Sequence, residues 1–144
     1  MDTPPPRRYG QGMTDNSDVA AVRQVIRQFD DALARRDVAS ALAMCTSDVV
    51  FIGSGEGEHA VGREALIAMA RAVAGQAADV EFTVTDISLD VSVYGDVAVV
   101  TSFGEATLRS PRGDRTPYRL TGTLLRDGNT WKWRVHHGSE PLPW

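Results

Sequence analysis

Glu105, Arg119 and His137 are the side chains of this sequence that could perform acid–base and anion-binding chemistry together. Histidine changes its charge near neutral pH and can act as a general acid or base. The planar guanidinium of arginine can hold a carboxylate or an enolate oxygen through parallel hydrogen bonds. We therefore predict that His137 is an acid/base or hydrogen-bond donor, that Arg119 stabilises an anion or enolate, and that Glu105 sets the charge of the histidine.

The meeting of these groups depends on a hairpin at residues 127–129 (Asp-Gly-Asn), a strong turn signal between two strand-like runs. If these three residues form the loop, Arg119 faces His137, and Glu105 can join them from the neighbouring strand; we favour this register. A two-residue loop would instead pair Arg119 with His136 and break the cluster. In the favoured register Leu125 faces Trp131. The residues on the same side between that pair and the Arg119–His137 pair are Thr121, Thr123, Trp133 and Val135. Such a strand face resembles a ligand pocket more than a solvent face.

Each of the three groups also has an ordinary structural interpretation. His137 fits a half-buried histidine that links the sheet to the C-terminal tail, and Arg119 and Glu105 fit a cross-strand ion pair. The predicted ligand contacts are Phe29, Thr121, Trp133 and Ser139.

Residues 56–59 contain two glutamates and a histidine, but a Gly-rich loop without further ligands is a poor metal site. We therefore predict no metal and no cofactor.

Apolar residues recur at spacings of three and four near the start of the chain, which predicts an amphipathic helix. They are Val19, Val22, Ile26, Phe29 and Leu33. Residues 16–18 offer N-caps for this helix, and Asp37 can cap a second helix over residues 38–45. A third helix is predicted over residues 63–74. The loop at residues 53–59 is too rich in glycine for regular structure.

From residue 80 onward the hydrophobic period is two, which predicts strands that follow a short strand at residues 49–52. The alternation changes phase near Thr85 and Asp86, and this change predicts a β-bulge. Both faces of a long strand at residues 97–108 are poor in charge, so we expect helices to cover one face and a partner chain the other. Helices followed by an antiparallel meander predict an α+β fold whose bent sheet encloses a cavity.

The composition excludes several classes of partner. The formal net charge is −4 and no run of Lys or Arg stands out, so no nucleic-acid partner is predicted. No apolar run approaches the roughly 18 residues of a membrane helix, so no membrane association is predicted. Cys45, the one cysteine, is predicted to be a buried structural thiol. Residues 1–15 are predicted to be a disordered leader, residues 16–144 a single domain, and the location cytoplasmic.

Three stretches resemble the SnoaL-like, or ketosteroid-isomerase-like, branch of the nuclear transport factor 2 superfamily. The first is FDDALARRD at residues 29–37 with DVVF at residues 48–51. The second is Gly53, Glu58 and Gly62 ahead of a helix, within FIGSGEGEHAVGREAL at residues 51–66. The third is Arg-Leu-Thr at residues 119–121, followed by the Asp-Gly turn and then by Trp131, Val135, His137 and Ser139. This last stretch is also similar to the association domain of calcium/calmodulin-dependent kinase.

The resemblance implies a cone-shaped fold with three N-terminal helices packed on a strongly curved antiparallel sheet, an internal pocket and a homodimer. The superfamily includes ketosteroid isomerases, polyketide cyclases, dehydratases and epoxide hydrolases, so the fold alone does not decide the function. In ketosteroid isomerases a helix-one tyrosine and an aspartate after the first strand carry the reaction. Those positions correspond to Phe29 and Gly53 here, so that mechanism is not supported.

We therefore expect a homodimeric protein whose pocket binds a small hydrophobic ligand with a polar or anionic group. One alternative is an enzyme of the isomerase, cyclase or dehydratase type that acts on a small cyclic substrate. A second alternative is a self-association module without catalysis.

Overall fold

The structure, a computed structural model, describes residues 16–76, 81–109 and 115–142. The predicted leader at residues 1–15 lies outside this part, as do residues 77–80, 110–114 and 143–144. The helices are α1 (Asn16–Ala34), α2 (Val38–Ala43) and α3 (Arg63–Gln76). The strands are β1 (Cys45–Ile52), β2 (His59–Val61), β3 (Glu81–Tyr94), β4 (Val97–Arg109), β5 (Arg115–Asp127) and β6 (Thr130–Ser139). Together they form an α+β fold with one curved, mostly antiparallel sheet.

The helices follow the apolar spacing of the sequence. The buried residues of α1 are Val22, Val25, Ile26, Phe29 and Ala32, which confirms the predicted stripe and extends it. Asp37 caps α2, because its side chain accepts a hydrogen bond of 3.1 Å from the backbone N–H of Ser40. The predicted extent of α2 is wrong at its end, since Cys45 already begins β1. α2 therefore has only six residues.

The sheet has the order β2-β1-β6-β5-β4-β3. β1 lies parallel to β6, with Val50 opposite Val135, which corrects the purely antiparallel meander predicted from the sequence. β2 forms at the end of the loop that was predicted to lack regular structure, and it pairs with β1. The turn between the two strands is closed by a hydrogen bond of 2.7 Å from the Gly53 N–H to the Glu58 carbonyl. The bulge predicted near Thr85 and Asp86 is confirmed between Asp86 and Ser88.

The register between β5 and β6 differs from both predicted registers. Asp127 pairs with Thr130, Arg119 with Ser139 and Thr121 with His137. The loop is Gly128-Asn129, and Gly128 has φ 62°, which suits the first central position of a type II′ turn. A register shift between Thr123 and Leu124 then moves the pairing by one residue. The turn and the bulge together explain why neither predicted register occurs.

The two faces of the sheet have different environments. On β4 the residues facing the helices, Ala98, Val100, Ser102 and Ala106, are buried, whereas Val97, Val99 and Phe103 on the other face are exposed. We call the exposed side the outer face. Cys45 is buried at the start of β1, and burial raises the pKa of its thiol to about 11, so the predicted structural thiol is confirmed. Within the described ranges, no helix is long and apolar enough to cross a membrane.

Arg126 fastens the start of α1 to the sheet. Its guanidinium donates two hydrogen bonds to the Asp18 carboxylate, at 3.0 and 2.8 Å, and a third to Asp96 at 2.9 Å. It also lies 4.5 Å from the ring centre of Trp131. The hydrogen bonds from Arg126 are the main cause of the lowered pKa of Asp18.

We expect the Arg126→Met variant to unfold at a lower temperature than the wild type. The substitution leaves the Asp18 carboxylate without its bidentate partner and detaches the first turn of α1. Circular dichroism melts at neutral pH measure the effect. Arg115→Met is the control, because the Arg115–Glu105 ion pair is longer (3.6 Å) and exposed. Equal melting temperatures for the two variants would contradict the structural role of Arg126.

Candidate functional site

A cavity of about 440 Å³ lies between the helices and the inner face of the sheet. Its apolar walls come from all three helices and from the sheet. They include Phe29, Leu33, Leu42, Phe51, Leu66, Met69 and Leu120. Its polar lining residues are Asp30, Arg36, Ser54, Glu58, Tyr118, His136 and Glu140. The fold thus presents a small set of hydrogen-bonding groups in a mostly apolar space.

The structure separates most of the predicted site residues from this cavity. Phe29 lines it, and Trp133 is fully buried beside Phe29, with 5.8 Å between the ring centres. Arg119, Thr121 and His137 are exposed on the outer face. Ser139 lies opposite Arg119 on the neighbouring strand.

The predicted pairing of Arg119 with His137 is wrong, because Arg119 lies between Phe103 and Ser139 while His137 lies opposite Thr121. Glu105 contacts Arg115 instead, at 3.6 Å. None of the three predicted catalytic residues is among the residues that line the cavity. Their catalytic roles stay predictions.

Asp30 is the most perturbed carboxyl group of the cavity. It follows Phe29 on α1 and lines the cavity. Burial, together with the negative charges of Asp86 and Asp31, raises its pKa from 3.8 to about 7. The Asp86 carboxylate is held by the Ser102 hydroxyl, which donates a hydrogen bond of 2.5 Å to it. Asp30 can therefore act as a hydrogen-bond donor or proton donor near neutral pH.

Tyr118 brings a phenol to the same end of the cavity. Its ring is buried, and its hydroxyl lies against Gly138, where a Cβ would overlap it. Burial and then the charges of Glu58, Asp30 and Glu140 raise its pKa to about 12. Tyr118 thus remains a neutral hydrogen-bonding group over the physiological pH range.

His136 lies at the inner face in an aromatic cage. Its ring stacks on Phe51 at 4.7 Å and contacts Trp133 edge-on at 4.8 Å, with Phe29 at 5.2 Å. It is only 4% exposed, and its Nδ1 has no hydrogen-bond partner among the described residues. Burial lowers the pKa of this imidazole from 6.5 to about 3, so the ring is neutral at physiological pH.

Sequence reasoning missed Asp30, Glu58, Tyr118 and His136 as cavity residues. Asp30 is four residues after Ile26, at the edge of the predicted apolar stripe, so its partial burial could have been found. Tyr118 shares the alternation of Leu120 on β5. Phe29 and Gly53, the positions singled out by the family resemblance, do line the cavity.

Within the described part of the chain, no group of three His, Cys, Asp or Glu side chains is arranged to hold a metal ion.

Comparison with known proteins identifies the family. A sequence model of the SnoaL-like domain matches residues 22–143. The chain belongs to the SnoaL-like family. Among curated protein sequences none matches this SnoaL-like domain significantly.

Solved structures similar to this SnoaL-like domain share its nuclear transport factor 2-like fold. An NTF2-like protein of unknown function from Pseudomonas putida KT2440 has a TM-score of 0.80 at 20% identity, over 90% of this chain and 91% of that chain. A proposed dehydratase of the NTF2-like family from Streptomyces avermitilis has a TM-score of 0.75 at 21% identity, over 89% and 99%. A proposed scytalone dehydratase from Novosphingobium aromaticivorans has a TM-score of 0.73 at 14% identity, over 90% and 87%. At these identities the likeness shows the fold alone.

Proposed function

We propose that this SnoaL-like domain binds one compact, neutral and mostly apolar small molecule in its cavity. The observation that carries the proposal is the cavity itself. Its volume of about 440 Å³ is in the range of small-molecule sites. Apolar walls with a few convergent polar groups are also typical of such sites.

The charges around the cavity favour a neutral ligand over the anionic group expected from the sequence. Asp30, Glu58 and Glu140 contribute acidic side chains, and Arg36 is the basic residue among those that line the cavity. Arg36 is exposed, whereas Asp30 and Glu58 are partly buried. An anionic ligand group beside Asp30, Glu58 or Glu140 would be repelled by the negative charge of these side chains.

The test is a ligand-observed NMR screen of neutral monocyclic and bicyclic compounds, each with one hydroxyl or ketone, alongside carboxylate analogues of the same shape. We expect neutral members to bind and their carboxylate analogues to bind at least about tenfold more weakly. The Ala70→Phe variant should narrow the cavity, because Ala70 lines it, and should weaken binding at least about tenfold. Ala68→Phe is the matched control, since Ala68 is exposed on the same helix and does not line the cavity.

Two outcomes would overturn the proposal. One is that no neutral compound binds to the wild type. The other is that Ala70→Phe, shown to be folded by circular dichroism, binds the hits as tightly as Ala68→Phe does.

A proton-transfer enzyme, of the isomerase, cyclase or dehydratase type, is the second candidate. Asp30, whose pKa is raised, favours it, because Asp30 lines the cavity with Tyr118 and the charges of Asp30 and Glu58 both act on the Tyr118 hydroxyl. Its first test is the exchange of α-protons of small cyclic ketones in D₂O, followed by NMR. Tyr118→Phe should slow the exchange, while Tyr94→Phe, at an exposed tyrosine, should not. A rate equal to the buffer rate for the wild type would remove this candidate.

We also propose that two copies associate through their outer faces. Phe103 (61% exposed), Ile87 (70%) and Val99 (43%) present apolar surface there. Sedimentation of Phe103→Lys should show a monomer at concentrations at which the wild type is a dimer. Val61→Lys, at an apolar residue exposed on the edge strand β2, is the control and should remain dimeric. A monomeric wild type at micromolar concentration would contradict this association and the self-association alternative.

A further inference from the structure

The loop from Gly53 to Glu58 is folded around a single carboxylate. The Gly53 N–H donates to the Glu58 carbonyl at 2.7 Å, and the Glu58 N–H donates to the Gly55 carbonyl at 3.2 Å. The Gly55 N–H then donates to Oε2 of the Glu58 side chain at 3.1 Å. The Glu58 side chain therefore turns back over its own loop instead of extending into solvent.

Gly53 and Gly55 leave room for that side chain in its observed position. A Cβ on Gly53 would overlap the Glu58 carboxylate, and a Cβ on Gly55 would lie 2.8 Å from its Oε1 and 2.9 Å from its Cδ. Neither Gly53 nor Gly55 has the positive φ that favours glycine, in contrast to Gly57 at φ 79°. Their lack of a side chain therefore serves the close approach of Glu58, not a special backbone conformation.

The carboxylate held in this way lies at the cavity. Gly53, Gly55 and Glu58 all line it, and the charge of Glu58 acts on the Tyr118 hydroxyl. Asp30 and Tyr118 line the same cavity, so the Glu58 carboxylate shares this space with groups that can hydrogen-bond to the same ligand.

We propose that Glu58 is the specificity-determining residue of the cavity, where its carboxylate accepts a hydrogen bond from a hydroxyl or N–H group of a neutral ligand. Its carboxylate occupies the space that a side chain at position 53 would take. A charged acceptor in a mostly apolar space binds a donor strongly and disfavours an analogue that lacks one. This inference rests on the proposed small-molecule function and adds the class of ligand, a flat or compact apolar molecule with a hydrogen-bond donor.

The experiment compares two probes of nearly the same shape, 2-naphthol and 2-methoxynaphthalene, by isothermal titration calorimetry on the full chain. The first has a hydroxyl donor and the second does not. We expect the wild type to bind 2-naphthol about tenfold more tightly than 2-methoxynaphthalene. Glu58→Gln should lose most of this preference by weakening 2-naphthol about tenfold, with a change of less than about twofold for the methyl ether.

Two further variants separate the role of the side chain from damage to the loop. Gly53→Ala should weaken 2-naphthol selectively, because the added Cβ displaces the Glu58 carboxylate without removing it. Glu56→Gln, at an exposed carboxylate of the same loop, should behave like the wild type. Thermal melts establish whether each variant is folded. If Glu58→Gln is not folded, Gly53→Ala tests whether the Glu58 carboxylate gives the preference for 2-naphthol.

The possible failures can be told apart. If neither probe binds the wild type and the neutral screen is also empty, the proposed function falls and the role of Glu58 falls with it. If both probes bind the wild type equally, or if Glu58→Gln and Gly53→Ala keep the preference for 2-naphthol, the inference about Glu58 is overturned while the cavity remains a binding site.

Discussion

The Asp30→Asn variant is expected to have a free energy of unfolding at pH 8 about 2–4 kcal/mol higher than that of the wild type. The pKa of Asp30 is raised to about 7 in the folded protein from an ordinary value of 3.8. Below pH 3.8 the carboxyl is protonated in both the folded and the unfolded protein, so it does not lower the free energy of unfolding. Between about pH 4 and 7 the unfolded chain loses its proton while the folded chain keeps it, so the stability falls as the pH rises. Asparagine is neutral at every pH and removes this loss.

Urea unfolding at pH 4 and pH 8 measures the effect of Asp30→Asn. The gain should be small at pH 4 and close to its full size at pH 8. Asp90→Asn is the control, because Asp90 is exposed on β3 and its charge is not among the causes of the raised pKa of Asp30, and it should change the stability by no more than about 0.5 kcal/mol at either pH. A variant that is destabilised at pH 8, or a gain of equal size at both values, would show that Asp30 is not held in an unfavourable environment.

A stabilising Asp30→Asn substitution would also bear on function. A carboxyl group that destabilises the fold at physiological pH is typical of a site that is kept for chemistry or binding. The same variant should then bind or turn over ligands less well, since asparagine cannot release a proton. Asp30 can thus be tested by stability first and by the ligand assays afterwards.

The elements of the fold could largely be predicted from the sequence because each follows from a local pattern. The α1 stripe, the Asp37 cap and the β3 bulge all appear in the hydrophobic period or in residue type. β2 and the parallel pairing of β1 with β6 could not be predicted in this way. Both depend on how the loop at residues 53–58 turns the chain back onto β1. The position of the Glu58 side chain in that loop is set by tertiary contacts, which local sequence patterns do not show.

The candidate site could not be placed from the sequence because one bulge decides which side of β6 faces the cavity. Strict alternation puts Trp133 and His137 on the same side. In the structure Val135 pairs with Thr123 and Trp133 pairs with Leu124, so Arg134 is the extra residue. The phase therefore changes between Trp133 and His136, and His136 joins Trp133 at the inner face. The family resemblance was informative at Phe29, Gly53 and Glu58, which line the cavity, whereas Asp30 was not part of the resemblance.

His136 is expected to give the protein a second, opposite dependence on pH. Its pKa falls from 6.5 to about 3 on folding, chiefly through burial, with the neighbouring charge of His137 as a smaller cause. Between about pH 3 and 6.5 the unfolded chain therefore takes up a proton that the folded chain does not. The stability contributed by His136 decreases by about 1.4 kcal/mol for each unit that the pH falls within this window.

The opposite pH dependences that Asp30 and His136 give to the stability should nearly cancel between about pH 4 and 6.5. In this range the folded protein carries one proton on Asp30, and the unfolded chain carries one proton on His136. The lowered pKa values of Asp18, Asp37 and Asp48 affect stability mainly below that window, since their stabilisation is lost as the pH falls through those values. We therefore expect a flat urea-unfolding profile for the wild type over this range.

The His136→Phe substitution should remove one side of this balance, so that the stability of the variant falls by about 2–3 kcal/mol as the pH rises from 4 to 6.5. Phenylalanine keeps an aromatic ring against Phe51 and cannot titrate. Asp30→Asn should tilt the profile in the opposite direction by a similar amount, and the double variant should be flat again. His59→Phe, at an exposed histidine of β2, is the control and should keep the wild-type profile. A profile for His136→Phe that matches the wild type would show that His136 is not a buried group that stays neutral in the folded protein.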